Sequence, residues 1–183
     1  KILFEDYIIK NAAFVHAFSN SDYKSLVTTI NEKKIIYIPN GINSNDDIKT
    51  TYNSNDILKI SYCGRLEMKH KGLDLLFKSI KMMIDIKKNI FLDIIGDGID
   101  YEKLKKLANK LKIEKNIKFH HKQFGENKDK ILKASDVFIH ASRWDGIPSS
   151  VLEAANLAIP IIVSKATNLE KYILNSNSGY IID

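Results

Sequence analysis

ILKISYCGRLEMKHKGLDLLFKSIKMMIDIKKNIFLDIIGDG, residues 57–98, carries the pattern from which the fold is read. KISYCG (59–64) is a short apolar run rich in residues that favour strands, and it ends on a glycine. From Gly72 to Lys88 the period changes: Leu73, Leu76, Phe77, Ile80, Met83 and Ile84 recur on one face of a helix. IFLDIIG (90–96) then returns to the strand pattern. Strand, helix and strand in that order form one unit of a parallel sheet, and the unit repeats downstream. The spacing predicts a helix over 100–112, a strand at IKFHH (117–121), a helix over 126–134 and a strand at DVFIHA (136–141). A helix from Ser149 to Leu157, a strand at PIIVS (160–164) and a helical turn near 168–174 lead into GYIID. Apolar runs without strict alternation are buried on both faces, which predicts an α/β fold with a Rossmann-like, doubly wound parallel sheet. Ligands of such sheets bind outside the carboxyl ends of the strands, so the loops after residues 63, 95, 121 and 141 are expected to line a site.

The first 56 residues read differently. AFVHAFS (13–19), a helix over 20–31 and KIIYIPNG (34–41) make one β-α-β piece, too small to close a core alone. INSNDDIKTTYNSND (42–56) has the Asn, Ser and Asp content of a linker. The expected division is a domain remnant over 1–41, a linker over 42–56 and the Rossmann-like domain over 57–183.

Composition narrows the function classes. With 44% hydrophobic and 27% charged residues and only 8 Gly and 3 Pro, the chain is neither collagen-like nor disordered. No apolar run approaches the ~18 residues of a membrane span, and KILFEDYIIK lacks the uncharged core of a signal peptide. The expected location is therefore the cytoplasm. A lone cysteine, Cys63, excludes an internal disulfide and a cysteine-based zinc cage, and its place in an apolar run reads as a buried thiol. The net charge of +6 points to an anionic partner. Of 28 basic residues only Arg65 and Arg143 are arginines, the type that grips phosphate or carboxylate with two hydrogen bonds.

GRLEMKHKG (64–72) places Arg65 six residues before Lys71, between Gly64 and Gly72. Glycine lets a ligand approach the backbone, and a helix opening near Gly72 aims free N–H groups at the same loop. Two cations and a helix start suit a diphosphate. The competing reading pairs Arg65 with Glu67 or Asp74 on the surface. Neither the Walker pattern nor G-x-G-x-x-G is present.

In SRWDGIPSSVLEAANLAIPIIVS (142–164), DGIPSS supplies a tight turn, and Ser149 or Ser150 is expected to cap the following helix. Asp145 precedes that helix and Glu153 lies about one turn inside it. Carboxylates repel a phosphate, so beside one they serve better as acceptors for sugar hydroxyls. Alternatively, Asp145 caps the helix and Glu153 faces solvent.

Together, the Arg65/Lys71 loop, IIGDG (94–98) and D-G-x-P-x-x-x-L-E-A (145–154) followed by PIIVS resemble the carboxyl-terminal half of retaining, nucleotide-sugar-dependent glycosyltransferases of family four, with the GT-B fold. AFSNS (17–21) and IIYIPNGIN (35–43) are similar to that family's junction between acceptor domain and linker. The resemblance implies that Arg65 and Lys71 hold the pyrophosphate of a UDP- or GDP-linked sugar, that Asp145 lies against the transferred sugar, and that Glu153 accepts from the ribose hydroxyls. Gly64 approaches the donor, and Gly146, Ile147, Pro148, Ser149 and Ser150 offer backbone to the sugar and phosphate oxygens. The family's first acid is Glu where this chain has Asp145, one methylene shorter. Catalysis is then electrostatic, through Arg65, Lys71 and Asp145, with no metal and no cofactor beyond the donor. His120 and His121 end their strand near the expected base site, where either their backbone contacts the base or their role is purely structural. A glycan or lipid-linked acceptor is expected to bind the other domain, with possible contact at the inner face of the membrane. The 183 residues alone are expected to bind donor and transfer little.

Other signals have plainer readings. His140, ending the fourth strand beside Arg143, either touches the donor or fills space there, Trp144 either shapes the sugar pocket or anchors its loop, and EKLKKLANKLK (102–112) covers the sheet with its lysines solvated. Two rival functions stay open at this point. One is a nucleotide-sugar 2-epimerase of the same architecture; the other is a non-enzymatic anion-binding module, although the lysine distribution does not point to nucleic acid.

Overall fold

The computed structural model describes residues 2–42, 44, 47–51, 56–86 and 88–183, with side chains described from Phe4 onward. It divides into two compact units, Lys1–Gly41 and Ile42–Asp183.

In the first unit, β1 (Val15–Ala17) and β2 (Ile35–Tyr37) pair in parallel. Helix α1 (Ile2–Asn11) precedes them and was not anticipated by the apolar pattern; α2 (Asn20–Leu26) connects them. Ser19 opens α2 with a capping box, its hydroxyl accepting from the Asp22 amide and the Asp22 carboxylate accepting from the Ser19 amide. The helix expected over 20–31 stops at Leu26. Past that point the hydroxyls of Thr28 and Thr29 both donate to the Ser25 carbonyl, the local competition that makes such residues poor helix formers.

The second unit is a parallel sheet of six strands in the order β5-β4-β3-β6-β7-β8. Strands β3 (Leu58–Cys63), β4 (Ile90–Ile95) and β5 (Ile117–Phe119) alternate with α3 (Leu73–Asp85) and α4 (Tyr101–Leu111). After α5 (Gly125–Lys133) come β6 (Val137–His140), α6 (Ser149–Asn156), β7 (Ile161–Ser164), α7 (Glu170–Ser176) and β8 (Gly179–Ile182). The sheet grows outward from β3 to β5, then outward from β6 to β8 on the other side. The switch point therefore lies between β3 and β6, where the loops that follow diverge and leave a crevice.

Neighbouring residues of a strand point to opposite faces. Ile94 accordingly joins a core with Tyr62, Phe77, Leu92 and Leu104 under α3 and α4, while Ile95 joins Phe138, Val151, Ala154 and Val163 on the other face. Phe77 is fully buried, and truncating it to Ala costs about 3–5 kcal/mol. The strand expected through His121 ends at Phe119 because His121 turns into the left-handed region at φ 54°.

Part of the expected linker is pinned to this unit. Lys49, 6% exposed, donates from its amide to the Leu157 carbonyl at 2.9 Å and from Nζ to the Ser135 carbonyl at 2.5 Å. Residues 43, 45, 46 and 52–55 of that stretch lie outside the described residues. Among the described residues no helix is long and apolar enough to cross a membrane.

Candidate active site

The loops after β3 and β6 meet at the switch point, and Gly72 makes the approach possible. It precedes α3 at φ 64°, and a Cβ there would collide with the Ala141 carbonyl. The two loops are then sewn together. The Arg143 amide donates to the His70 carbonyl at 2.9 Å, and the Arg143 guanidinium donates to both carboxylate oxygens of Asp74 and to the Lys69 carbonyl, each at 2.8 Å. One of the two arginines is thus committed to holding loops.

Asp145 is the centre of the crevice. Its Oδ2 accepts from Lys71 Nζ at 2.5 Å and Ser142 Oγ at 3.1 Å, and faces His140 Nε2 at 3.0 Å. Among the described residues its Oδ1 accepts from the Gly146 amide alone, at 3.1 Å. Its backbone is held too, the amide by the Ala166 carbonyl and the carbonyl by Asn168 Nδ2. Burial pushes its carboxyl up, but hydrogen bonds from His140 and Lys71, reinforced by the Lys71 charge, outweigh burial and hold it well below the usual carboxylate range. The carboxylate is therefore ionised at neutral pH.

Arg65 stands beside this cluster rather than in it. Its side chain is 67% exposed and pairs with Glu67 at 2.6 Å, as the surface reading expected. With Gly64, Gly96 and Lys122 it lines an open pocket of about 200 Å³ over the ends of β3 and β4. Tyr62 connects the two regions, donating from its hydroxyl to the Arg65 carbonyl at 2.9 Å and stacking on His140 at 5.6 Å. Glu153 pairs with Lys128 of α5 at 2.9 Å and is not a free solvent-facing carboxylate. Its charge reaches Cys63, which lines the same pocket: burial first, then Glu153, pushes that thiol up to about 11.

The expected serine cap is absent. Pro148 is the residue before α6, no side chain caps that end, and Ser149 and Ser150 are already helical. No side chain caps α3 either. The first amides of α3 are nevertheless taken, Leu73 by the Met68 carbonyl, Leu75 and Leu76 by the Gly72 carbonyl and Asp74 by its own carboxylate, so α6 is the helix start that directs backbone N–H groups at the crevice. Ile147 is 7% exposed and anchors the turn, and Gly146 is exposed. His121 donates no ring to the crevice; it stacks on Tyr101 at 5.0 Å and bonds Asp97 at 2.8 Å, while its carbonyl accepts from the Gly96 amide. Trp144, 52% exposed, lies flat on His70 at 4.7 Å.

Lys71, Asp145, Gly146, Ile147, Pro148, Ser149 and Ser150 therefore come together at the switch point. Arg65 and Gly64 sit beside them, and Glu153 and His121 flank the pocket. Sequence reasoning missed Ser142, Lys128 and the importance of His140. The site offers cations, an uncapped helix start and two carboxylates, a combination that suits an anion carrying hydroxyl groups. Among the described residues no cluster of His, Cys, Asp and Glu has a metal-holding arrangement.

The doubly wound sheet with its crevice matches the Rossmann-like half of solved GT-B glycosyltransferases. The chain belongs to the family described as glycosyl transferases group 1, whose model matches residues 43–183. It is 29% identical over 184 residues to an uncharacterized glycosyltransferase, MJ1069, of Methanocaldococcus jannaschii, covering 96% of this chain and 46% of that protein. It is 34% identical over 100 residues to the UDP-Gal:alpha-D-GlcNAc-diphosphoundecaprenol alpha-1,3-galactosyltransferase of Escherichia coli, covering 54% of this chain and 25% of that one. A TarM variant of S. aureus, in complex with Fondaparinux, alpha-GlcNAc-glycerol and UDP, superposes with a TM-score of 0.85 at 19% identity, over 98% of this chain and 36% of that chain. The chain thus spans about half the length, or less, of these relatives.

Proposed function

We propose that the chain is the donor-binding part of a retaining, family-four glycosyltransferase that moves a hexose from a nucleoside-diphosphate sugar to a glycan or lipid-linked acceptor. The observation that carries this reading is the Lys71–Asp145 pair at the switch point, beside the start of α6, which has no side-chain cap. A cation and N–H groups take the diphosphate, and the carboxylate takes a sugar hydroxyl. Arg65, exposed beside Gly64, swings from Glu67 onto the diphosphate, a low-cost change because exposed ion pairs are worth only about 0–1 kcal/mol. Glu153 accepts from the ribose, and the backbone of His121 lies beside the base. A UDP donor is favoured over GDP by the galactosyltransferase relative, whose name specifies UDP-Gal, and by the UDP bound in the TarM complex.

In the transfer the C–O bond between the anomeric carbon and the diphosphate breaks, one to the acceptor oxygen forms, and the acceptor hydroxyl gives its proton to the departing phosphate oxygen. The diphosphate leaves with the electron pair of the broken bond, and Arg65, Lys71 and the amides of Ile147, Ser149 and Ser150 stabilise the negative charge that develops on it. Residues 1–41 belong to the acceptor domain, 42–56 link it and 57–183 bind donor, so transfer needs the remainder of the length seen in the relatives. The full enzyme works in the cytoplasm, at the inner face of the membrane where its acceptor is lipid-linked. A thermal-shift panel of UDP, GDP, ADP and their sugars tests the reading: a ligand at a hundred times its dissociation constant stabilises by about 2.7 kcal/mol. A flat response to all of them contradicts it.

A further inference from the structure

We propose that His140 is a positioning residue of the donor site: a neutral imidazole, fixed as the Nε2–H tautomer, which holds Asp145 so that one carboxylate oxygen stays free for the sugar. The proposal rests on the reading of Asp145 as the residue facing that sugar.

Strand β6 ends at His140, and the side chain is 1% exposed. Its ring lies between two others, stacked on Tyr62 at 5.6 Å and on Phe138 at 6.4 Å, so its orientation is set by packing. Nε2 faces Asp145 Oδ2 at 3.0 Å. A nitrogen lone pair there would repel the carboxylate, so this nitrogen carries the proton. Nδ1 is buried and has no hydrogen-bond partner among the described residues. A second proton would place a charged N–H in an apolar enclosure with no acceptor, which is costly. The charged groups facing the ring are Asp145, which favours protonation, and Lys71 and His70, which oppose it. Burial is the largest influence and lowers the pKa of His140, in the same sense as the geometry.

The division of labour on Asp145 follows. Three donors, Lys71, Ser142 and His140, converge on Oδ2, while among the described residues Oδ1 has only the amide of the next residue. An ionised carboxylate oxygen accepts more than one hydrogen bond, so Oδ1 keeps capacity for a ligand hydroxyl. When Lys71 turns part of its charge to a diphosphate, His140 and Ser142 still hold Oδ2 in place. A neutral donor suits that task because it adds no charge to compete with Lys71 for the phosphate. It also keeps the shorter Asp145 side chain from rotating away from the sugar.

The test uses this chain in two measurements. Long-range 1H–15N spectra, with His140→Phe to assign the signal among the 5 histidines, should show a neutral Nε2–H ring at pH 7 and above. An Nδ1–H ring, or a doubly protonated one at pH 7, overturns the proposal. Binding is then measured for UDP and UDP-galactose, with GDP and GDP-mannose in parallel. His140→Phe keeps a stacked ring without the donor, and should weaken the sugar conjugate about tenfold while leaving the nucleoside diphosphate within about twofold. His140→Gln restores an N–H at the Nε2 position and should recover most of that loss. Equal weakening of both ligands, or no weakening of either, overturns the proposal while the donor reading survives. If the wild-type chain binds no probe, the donor reading itself fails and takes the proposal with it.

Discussion

Lys71 and Asp145, 74 residues apart in sequence, meet at 2.5 Å between Nζ and Oδ2, with side chains only 9% and 15% exposed. The contact joins the loop after β3 to the loop after β6, so it supports the fold and fills the crevice at once. Breaking it leaves a largely desolvated charge without its partner, and Lys71→Met should destabilise the chain by about 2–3 kcal/mol. Chemical denaturation of both proteins at neutral pH measures this.

The same pair sets a pH dependence. The folded pKa of Asp145 lies below its unfolded value of about 3.9, so its contribution is fully present above that value and is lost as pH falls through the folded pKa. The stability difference between wild type and Asp145→Asn should be constant from neutral pH to about pH 5 and shrink below pH 4. A difference that instead shrinks between pH 8 and 6 would assign the effect to a histidine.

Gly72→Ala should cost at least about 2 kcal/mol, since it adds a side chain at positive φ and drives a Cβ into the Ala141 carbonyl. Gly146→Ala provides the contrast: nothing lies within 4 Å of a Cβ there, and the chain should keep its stability. Thermal melts of the two variants compare them directly.

The thiol of Cys63, pushed up to about 11, should react with a disulfide reagent at pH 8 far more slowly than the same thiol in the unfolded chain. Rates rising toward pH 11 in the folded state are expected. Immediate reaction at pH 7 would show that the thiol is neither buried nor near the Glu153 charge.

Glu153→Gln tests ribose recognition. If Glu153 accepts from the ribose hydroxyls, the variant should lose most of the preference for UDP over its 2′,3′-dideoxy analogue, a loss of about tenfold, while keeping its fold. An unchanged preference would assign Glu153 to its pairing with Lys128 alone.

The alternation of apolar runs was enough to place five of the six strands of the sheet, because the strands and helices between 57 and 164 have distinct hydrophobic periods; β8, in the short GYIID stretch, was not anticipated. Boundaries failed where side chains act on the backbone locally: Thr28 and Thr29 end α2 early, and His121 turns β5 away. The loop that joins Arg65 to Lys71 and the turn from Asp145 to Ser150 were legible because glycines, a proline and rare arginines mark them. Partnerships were not. Lys128 is one lysine among 26, and nothing in its local sequence indicates that it reaches Glu153. His140 read as a donor ligand or a space filler because its value lies in a contact with Asp145, five residues on and across a turn. Arg143 read as a ligand candidate, yet Asp74 occupies its guanidinium.

Titration calorimetry of UDP, GDP and ADP into the chain, as wild type, Arg65→Ala and Lys71→Ala, tests the donor site most directly. The account predicts one nucleoside diphosphate bound at a single site. Arg65→Ala should weaken it at least about tenfold while changing stability by less than about 1 kcal/mol, because that arginine is exposed. Lys71→Ala should weaken it as much or more. Absence of binding by every nucleotide, or binding that both variants retain undiminished, would contradict the account.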